Sequence, residues 1–482
     1  MYIYQKNIIE FPMVPNTFRK QQIFYLLIAI SLFPIHLSSA QTITGSWEGK
    51  LDLGLQQLPI IFHFKPEKEG WTGSLDSPKQ QVFGVPLTNV LFDGTLLSVK
   101  IASLGADYEG TLLNNSINGQ FKQSGLSLAL TLSPLESGKE TSQAERPQTP
   151  KGPFPYDIVN TSFVQSEENL LLKGTLTKPL GEGPFPAVVL ISGSGPQDRN
   201  SEIFGHYPFW VIADFLTKNG IAVLRFDDRG VGESEGSMEG ATTQNFVGDA
   251  WAAVNKLKSF SFVDKNKTGV IGHSEGGLIA WMMGAKNKGN LNFLAALAPP
   301  VIPIDSLMSQ QTYDIVNASG AGEALAMQQQ TYNFNLYQQL KTSGNTDEAR
   351  AKLKQFITED ERLIGLDSLN KVAQTSKMLE QYAPLTNPWF YYFIKMEPKD
   401  YIRQITVPAW AAFAEKDKQV NAKSNKKALD KMAMPNIMTH CFDGLNHLFQ
   451  AAETGAVSEY STISETFNLK VLEELAAWVK SL

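Results

Sequence analysis

The residues with the clearest chemical potential are a serine and two flanking glycines. Gly272, Ser274 and Gly276 form a Gly-x-Ser-x-Gly pattern that follows the apolar run 268–271 and leads directly into a helical stretch. This pattern holds a serine at a strained strand-to-helix turn, where larger neighbours would collide and the hydroxyl projects above the sheet. The N-terminus of the following helix favours developing negative charge. We predict that Ser274 is a nucleophile; the alternative is a serine that only caps the helix.

A serine nucleophile requires a general base, and the chain contains six histidines. His447 lies in the loop after the last predicted strand, where the base belongs when the chain order is serine, acid, histidine. We interpret His206, which lies in a much earlier loop, as a loop or pocket-rim residue and as a candidate for substrate contact. His273 abuts the serine and is expected to turn into packing, while His440 lies within a strand. The pattern therefore favours His447 as the base.

The base in turn requires an acid that orients its imidazole. Asp417 lies in the turn that follows the apolar strand 407–414. Glu415 is the nearest rival, but it lies one step off the strand, in a position where glycine is common. We predict that Asp417 orients His447; the alternative is an aspartate that caps the next helix.

Acyl transfer also requires backbone N–H groups that bind the oxyanion, each contributing about 3 kcal/mol. One donor is expected to be the N–H of Glu275, the residue after the nucleophile. The second is expected from the loop after the strand 187–191, with Ser194 as the preferred donor and Gly193 as the alternative. A phosphate-binding loop would need a Lys-Ser or Lys-Thr pair, which residues 192–199 lack.

Residues 227–232 form a second glycine-rich turn, which contains two aspartates and an arginine but no nucleophile. We interpret it as a structural turn whose Asp–Arg pair supports the neighbouring loops, with substrate contact as the alternative.

The elements that must position these residues begin at residue 157. Apolar strands alternate with helical stretches, which predicts an α/β domain with a parallel sheet covered on both faces over residues 157–482. Residues 303–403 interrupt this rhythm with helical sequence, so we predict a helical cap over one end of the sheet. After an opening hairpin, the predicted strands are 187–191, 221–226, 268–271, 293–297, 407–414 and 436–442.

Residues 41–132 predict a separate all-β domain, a small antiparallel barrel or sandwich. An aromatic residue two positions before a glycine and four before a leucine recurs at Trp47, Trp71 and Tyr108, which places each trio on one face of a strand. Exposed tryptophans would suit a polysaccharide or cell-envelope contact, whereas buried ones would be core. Residues 133–156, rich in proline and polar residues, are predicted to be a linker.

Residues 1–40 are predicted to be a secretory signal peptide. Arg19 and Lys20 precede the apolar run 23–37, and small residues then predict cleavage after position 40. A membrane anchor is the alternative, although the run is short for a span. Met13 is an alternative start. We expect a periplasmic or secreted protein with no stable membrane span after cleavage.

Composition excludes several functional classes. The 482 residues include 42 Lys and Arg against 48 Asp and Glu, and there is no long basic run, which argues against a nucleic-acid partner. The single cysteine excludes an internal disulfide and a four-cysteine zinc site. We expect neither a metal nor an organic cofactor.

These motifs together make a family recognisable. Residues 157–482 resemble the α/β-hydrolase superfamily, in particular the secreted bacterial esterases and the serine aminopeptidase-like group. Many relatives have His-Gly where this chain has Ser192-Gly193. The resemblance implies an α/β-hydrolase fold and a Ser–His–Asp hydrolase that acts through an acyl-enzyme. The matching pieces, in chain order, are 192–196, 227–232, 272–277, the Asp417 turn and Asn446-His447.

Three functional hypotheses follow. The leading one is hydrolysis of a small to medium-sized carboxylic ester at Ser274. An aminopeptidase-like hydrolysis of amides in short peptides is the first alternative; it needs an acidic subsite for a free amine, and residues 359–361 of the cap are the candidate, unless they lie on a solvated helix face. The second alternative is polysaccharide or envelope binding through residues 41–132.

Overall fold

The computed structural model describes residues 42–482, except 53–56, 68–69, 78–81, 102–103, 124–125, 136–145 and 288. The predicted signal peptide and much of the predicted linker lie outside the described residues. Within the part of the chain that is described, no helix combines the length and the apolar composition needed to cross a membrane.

The first sheet contains nine antiparallel strands among the described residues, in the order β4-β3-β2-β1-β9-β8-β7-β6-β5. The two outer strands are consecutive in the chain. Leu87 and Thr88 connect these two strands in the chain. The Leu87 N–H donates to the Gly73 carbonyl in β3, and the Thr88 N–H donates to the Lys100 carbonyl in β6. The sheet therefore curls until its two edges approach each other. The strands are β1 (Gly45–Asp52), β2 (Gln57–Pro66), β3 (Trp71–Ser77), β4 (Val82–Pro86), β5 (Asn89–Phe92), β6 (Leu96–Ile101), β7 (Ala106–Leu113), β8 (Ser116–Gln123) and β9 (Leu126–Pro134).

The recurring aromatic residues pack inside this curled sheet, which decides between the buried and the exposed alternatives that the spacing leaves open. Trp47 and Tyr108 are buried, and the half-buried Trp71 packs against the same core with its ring centroid 6.1 Å from that of Phe92. A Cβ at Gly119 would lie 2.7 Å from Cζ of Tyr108, so a glycine is needed where this ring lies. The tryptophans belong to the core and do not form an exposed aromatic platform.

The described end of the linker is fixed to the second domain, although its composition predicts little to bury. The Arg146 guanidinium donates to the carbonyls of Phe204, Ser461 and Ile463 at 2.6–2.9 Å. Gln148 bonds both backbone groups of Phe467 at 2.7 and 2.9 Å. Hydrogen bonds from these two polar side chains to backbone groups therefore attach the linker, a role that apolar burial has elsewhere in the protein.

The second sheet contains eight strands of the described residues in the order β10-β11-β13-β12-β14-β15-β16-β17. β10 and β11 pair antiparallel, as do β11 and β13, and every other neighbouring pair is parallel. This is the α/β-hydrolase fold that the sequence predicts. The strands are β10 (Tyr156–Gln165), β11 (Leu170–Pro179), β12 (Phe185–Ile191), β13 (Ala222–Phe226), β14 (Val263–His273), β15 (Phe293–Leu297), β16 (Ala409–Ala414) and β17 (Ile437–Phe442).

Helices cover both faces of this sheet because the buried strands are apolar on both sides. In β12, Val189 and Ile191 face one core, whereas Val188 and Leu190 face the other. The first core is closed by α2, α3 and α10, and the second by α1 and α11. These helices are α1 (Pro208–Lys218), α2 (Thr243–Lys258), α3 (Glu275–Ala285), α10 (Ala422–Met432) and α11 (Leu469–Ser481).

The predicted cap is present between β15 and β16. Its helices share one apolar core with the sheet domain, to which Leu336, Leu353 and Phe390 contribute. The cap is therefore fixed by packing and covers the carboxyl ends of the strands. Its helices are α4 (Ile304–Ala318), α5 (Glu323–Lys341), α6 (Thr346–Thr358), α7 (Ser368–Tyr382), α8 (Pro388–Phe393) and α9 (Pro398–Ile402).

Candidate active site

Ser274 lies between β14 and α3 with backbone angles φ 56° and ψ −119°. A positive φ is costly for a serine and persists only where the surrounding structure enforces it. The flanking glycines permit this tight turn, because a Cβ at Gly272 would lie 1.9 Å from the Gly276 carbonyl oxygen. A Cβ at Gly276 would lie 2.1 Å from the Ile191 carbonyl oxygen. The predicted strained turn is therefore present.

The hydroxyl of Ser274 makes no capping hydrogen bond to α3. The start of the helix is held by the backbone, since the Gly277 N–H donates to the Ser274 carbonyl at 2.9 Å and the Ser274 N–H donates to the Leu297 carbonyl at 2.8 Å. The alternative of a serine that only caps the helix does not describe this residue.

The carboxylate of Asp417 lies beside His447, with 2.7 Å between Oδ2 and Nδ1. Neither side chain is more than 4% exposed. The other carboxylate oxygen, Oδ1, accepts the N–H groups of Gln419 at 2.7 Å and Val420 at 2.8 Å, which fixes the carboxylate in place. The rival acid, Glu415, is exposed and instead accepts the N–H of Gly444. The structure therefore brings together Asp417 and His447.

The loop that carries His447 is braced by a buried amide. Asn446 is fully buried, and its Oδ1 accepts the N–H groups of Leu448 and Gln450, each at 3.0 Å. Its Nδ2 donates to the side-chain oxygen of Gln450 at 2.9 Å. These bonds satisfy the backbone of a turn that packing alone would leave unpaired.

The residues that carry the two candidate oxyanion donors line the same cavity as Ser274. A Cβ at Gly193 would lie 3.2 Å from Cβ of Ser274, so the loop after β12 runs directly past this serine. Within the described residues, the N–H groups of Ser194 and Glu275 donate to no protein acceptor. Both groups are thus available to a ligand.

The side chain of Glu275 carries a feature that the sequence analysis missed. Its carboxylate is fully buried and accepts three different donors: the Ser194 hydroxyl at 2.7 Å, the Thr243 hydroxyl at 2.7 Å and the Trp389 indole N–H at 2.9 Å. Burial raises the pKa of this carboxyl group. The one signal in the sequence was an acidic residue at the start of an otherwise apolar helix. The three partners of this residue lie far away in the sequence.

A cavity of about 500 Å³ is lined by Ser274, His447 and the two candidate oxyanion donors, Ser194 and Glu275. Apart from these residues, its walls are mainly apolar and buried. The cap contributes Leu307, Met308, Trp389 and Phe393, and the sheet domain contributes Phe209, Ile212, Val420, Leu448 and Phe467. The cavity suits an apolar ligand with one polar, reactive group.

Acidic side chains are scarce around this cavity. Its lining includes two, Glu202 and Glu275, of which Glu202 is exposed and Glu275 is occupied by its three donors. Residues 359–361, the candidate amine subsite, are not part of the lining. Asp360 instead pairs with Arg362 at 2.6 Å, and both neighbouring glutamates are exposed. Residues 359–361 therefore do not form an acidic subsite at this cavity, and the exposure of both glutamates agrees with the alternative of a solvated surface.

His206 is not the pocket-rim residue that its loop suggests. It is fully buried, its Nε2 donates to the Tyr460 carbonyl at 2.9 Å, and its Nδ1 lies 2.8 Å from the Thr466 hydroxyl. Burial lowers its pKa to about 4. The prediction of substrate contact is wrong, because both ring nitrogens hold the C-terminal segment in place.

The turn 227–232 is structural, but the Asp–Arg pair predicted within it does not form. Asp227 pairs with Arg199, whose Nε lies 2.9 Å from its carboxylate. Arg229 pairs with Asp249 at 2.8 Å and with Glu168 at 2.7 Å. Asp227 therefore connects the turn to the loop after β12, and Arg229 connects it to α2 and to the β10–β11 loop.

Asp228, in the same turn, supports the loop that carries the candidate oxyanion donors. Its carboxylate accepts the Ser192 hydroxyl at 2.6 Å and the Gln197 N–H at 3.0 Å. Burial raises the pKa of Asp228 to about 7. The turn therefore affects the site by holding the loop 192–197 in place and not by contacting substrate.

A second Ser–His–Asp sequence of hydrogen bonds lies in the first sheet. The Ser46 hydroxyl is 2.8 Å from Nδ1 of His63, and Nε2 of His63 is 2.7 Å from Asp76. Ser46 lies within β1, without a helix N-terminus behind it to stabilise negative charge. Hydrogen-bond order alone therefore does not identify a nucleophile, and Ser46 lacks the strained strand-to-helix turn in which Ser274 lies.

Residues 205–453 match the model of the family described as serine aminopeptidase, S33. The chain is similar to the esterase EstD of Thermotoga maritima, with 27% identity over 312 residues; the match covers 64% of this chain and 65% of EstD. Two solved structures are also similar, those of the esterase Pf2001 and of Est1E. Pf2001 of Pyrococcus furiosus has 16% identity and a TM-score of 0.39, covering 70% of this chain and 98% of its own. Est1E of Butyrivibrio proteoclasticus has 15% identity and a TM-score of 0.37, covering 67% and 97%.

Proposed function

Because the chain belongs to the serine aminopeptidase (S33) family of α/β hydrolases, we propose that it hydrolyses carboxylic esters of small to medium size through an acyl-enzyme. The observation that carries this proposal is the meeting, at one cavity, of the strained Ser274 with His447, whose imidazole is held by Asp417.

In the proposed reaction, the Ser274 hydroxyl attacks the ester carbonyl while His447 takes its proton through Nε2. Asp417 keeps the proton of His447 on Nδ1 and stabilises the imidazolium that forms. The N–H groups of Glu275 and Ser194, or of Gly193 in place of Ser194, bind the oxyanion. His447 then returns the proton to the leaving alcohol, and water repeats the sequence to release the acid.

The walls of the cavity support an ester in preference to an amide with a free amine. A positively charged amine needs a carboxylate partner when it leaves water. The lining offers the exposed Glu202 and the fully occupied Glu275, set among apolar side chains. Comparing turnover of p-nitrophenyl butyrate with that of aminoacyl p-nitroanilides tests this choice. Amide rates equal to ester rates would reverse it in favour of the aminopeptidase alternative.

The nucleophile is tested by labelling with a fluorophosphonate, which reacts with activated serines. Wild-type protein should be labelled once, and Ser274→Ala should lose both labelling and ester hydrolysis. Ser46→Ala is the matched control, since it removes the serine of the other Ser–His–Asp sequence. Labelling that persists in Ser274→Ala would place the nucleophile elsewhere.

We further propose export of the protein, on the strength of the signal-like residues 1–40. N-terminal sequencing of the protein from a bacterial periplasmic fraction should give a chain that begins at Gln41. Recovery of the intact N-terminus from the cytoplasm would contradict export.

A further inference from the structure

We propose that Trp389 is a partition that limits the size of the substrate, and that the Glu275 carboxylate fixes its position. This inference rests on the proposed ester hydrolysis and names the residue that sets the chain length accepted by the same site.

Trp389 separates two cavities. On one side is the cavity of about 500 Å³ that contains Ser274, and on the other is a second cavity of about 600 Å³ between the cap and the segment before α2. Among the residues that the structure describes, Trp389 is the one that lines both. The second cavity is lined mostly by uncharged residues, among them Met238, Ala241, Leu353, Leu379 and Ala383, and its lining also includes the charged Glu239, Arg350 and Lys354.

The indole is held from three sides. Its N–H donates to the two oxygens of the Glu275 carboxylate at 2.9 and 3.2 Å. Its ring stacks on Phe393, with centroids 5.2 Å apart and planes 15° from parallel, and it meets Phe390 edge-on at 6.1 Å. Asn387 caps the start of α8 by accepting the Phe390 N–H at 2.7 Å, so the backbone beneath the indole is fixed too.

Glu275 connects this partition to the reaction centre. The same carboxylate that holds the indole accepts the hydroxyl of Ser194, the preferred oxyanion donor, and the residue itself follows the nucleophile. A buried carboxylate with three donors has one low-energy arrangement, because releasing any donor leaves a buried polar group unpaired. The wall therefore keeps a constant distance from Ser274, as a fixed size limit requires.

Removing the indole should join the two cavities and let longer apolar chains reach Ser274. The test measures kcat/KM with p-nitrophenyl esters from acetate to dodecanoate, and with acetate esters of alcohols of increasing length. In Trp389→Ala, the ratio of kcat/KM for the longest ester to that for the shortest should rise at least about tenfold in one of the two series, since each additional buried methylene contributes about 0.8 kcal/mol.

Trp389→Phe is the matched control, because it removes the N–H but keeps an aromatic ring. Its length ratio should rise above that of wild type by about threefold at most, because the ring still fills the partition while the bond to Glu275 that fixes it is lost. A ratio equal to that of wild type would contradict the role of Glu275. A ratio in Trp389→Phe as high as that in Trp389→Ala would contradict the role of ring size. If Trp389→Ala does not fold, Trp389→Leu should give a smaller rise in the same series.

Fluorophosphonate labelling of Ser274 separates the two possible failures. Wild-type protein that is labelled and hydrolyses esters, with variants whose ratios are unchanged in both series, would overturn the partition alone. Wild-type protein that is neither labelled nor active would overturn the proposed function.

Discussion

His273 donates a hydrogen bond from Nε2 to the backbone carbonyl of His447 at 2.9 Å, and the two imidazole centroids lie 4.7 Å apart. One residue of the turn that carries the proposed nucleophile thereby supports the loop that carries the proposed base, across 174 positions of sequence. Burial and the neighbouring His447 lower the pKa of His273 to about 3, so His273 remains neutral near pH 7. A neutral imidazole can serve as a permanent donor here without adding charge to the site.

We expect His273→Phe to reduce kcat about tenfold, because the ring packing survives while the bond that orients the His447 loop is lost. Since His273 stays neutral above about pH 4, its loss should change the height of the pH–rate profile but not its shape. Steady-state kinetics across the neutral range checks both expectations. A displaced acid limb in the variant would show that His273 titrates during turnover.

Asp417→Asn should lower kcat by about 10³–10⁴-fold with little change in KM, because the amide cannot hold His447 in the tautomer needed for proton transfer. Glu415→Gln is the matched control, since Glu415 lies in the same turn but bonds only a backbone N–H at the surface. Equal losses in the two variants would contradict the assignment of Asp417.

Asp228→Asn should remove a pH dependence of stability. The folded-state pKa of Asp228 is raised to about 7, against about 3.9 for an unfolded aspartate. Between these two pKa values the folded state holds a proton that the unfolded chain has lost. The contribution of Asp228 to the free energy of unfolding therefore falls by up to about 1.4 kcal/mol per pH unit as the pH rises.

Asparagine does not titrate and still offers an acceptor and a donor to the loop 192–197. Urea unfolding at pH 5 and at pH 8 should therefore show the variant gaining free energy of unfolding relative to wild type at the higher pH. A constant difference between variant and wild type at both values would contradict the raised pKa.

Arg229→Met should lower the free energy of unfolding by about 3–5 kcal/mol, because it leaves the buried Asp249 carboxylate without its partner. The side chains of both residues are 4% exposed. Lys122→Met is the control, since its pair with Glu109 is exposed and should contribute no measurable stability. Chemical denaturation of both variants measures the loss of unfolding free energy in each. Equal losses in the two variants would contradict this prediction.

The sequence alone determined the strands and helices, and it determined the strand ends at which the candidate functional residues lie. Strand and helix periods are local properties, and apolar runs such as 293–297 coincide with β15 residue for residue. Because parallel strands end at one edge of a sheet, Ser274, Asp417 and His447 could be assigned to one edge before any distance was known. The polar start of β14, residues 264–267, was missed because an apolar pattern detects only the part of a strand that is buried.

Only the tertiary structure decided the partners of the polar side chains. A loop position does not reveal whether a histidine will be covered, and so His206 was misjudged. Glu275 meets Trp389 across 114 positions, and Arg229 pairs with Asp249 and Glu168 in preference to its neighbour in the turn. The physical reason is that backbone conformation follows from neighbouring residues, whereas hydrogen-bond and ion-pair partners are chosen by the packing of distant elements, which no local pattern encodes.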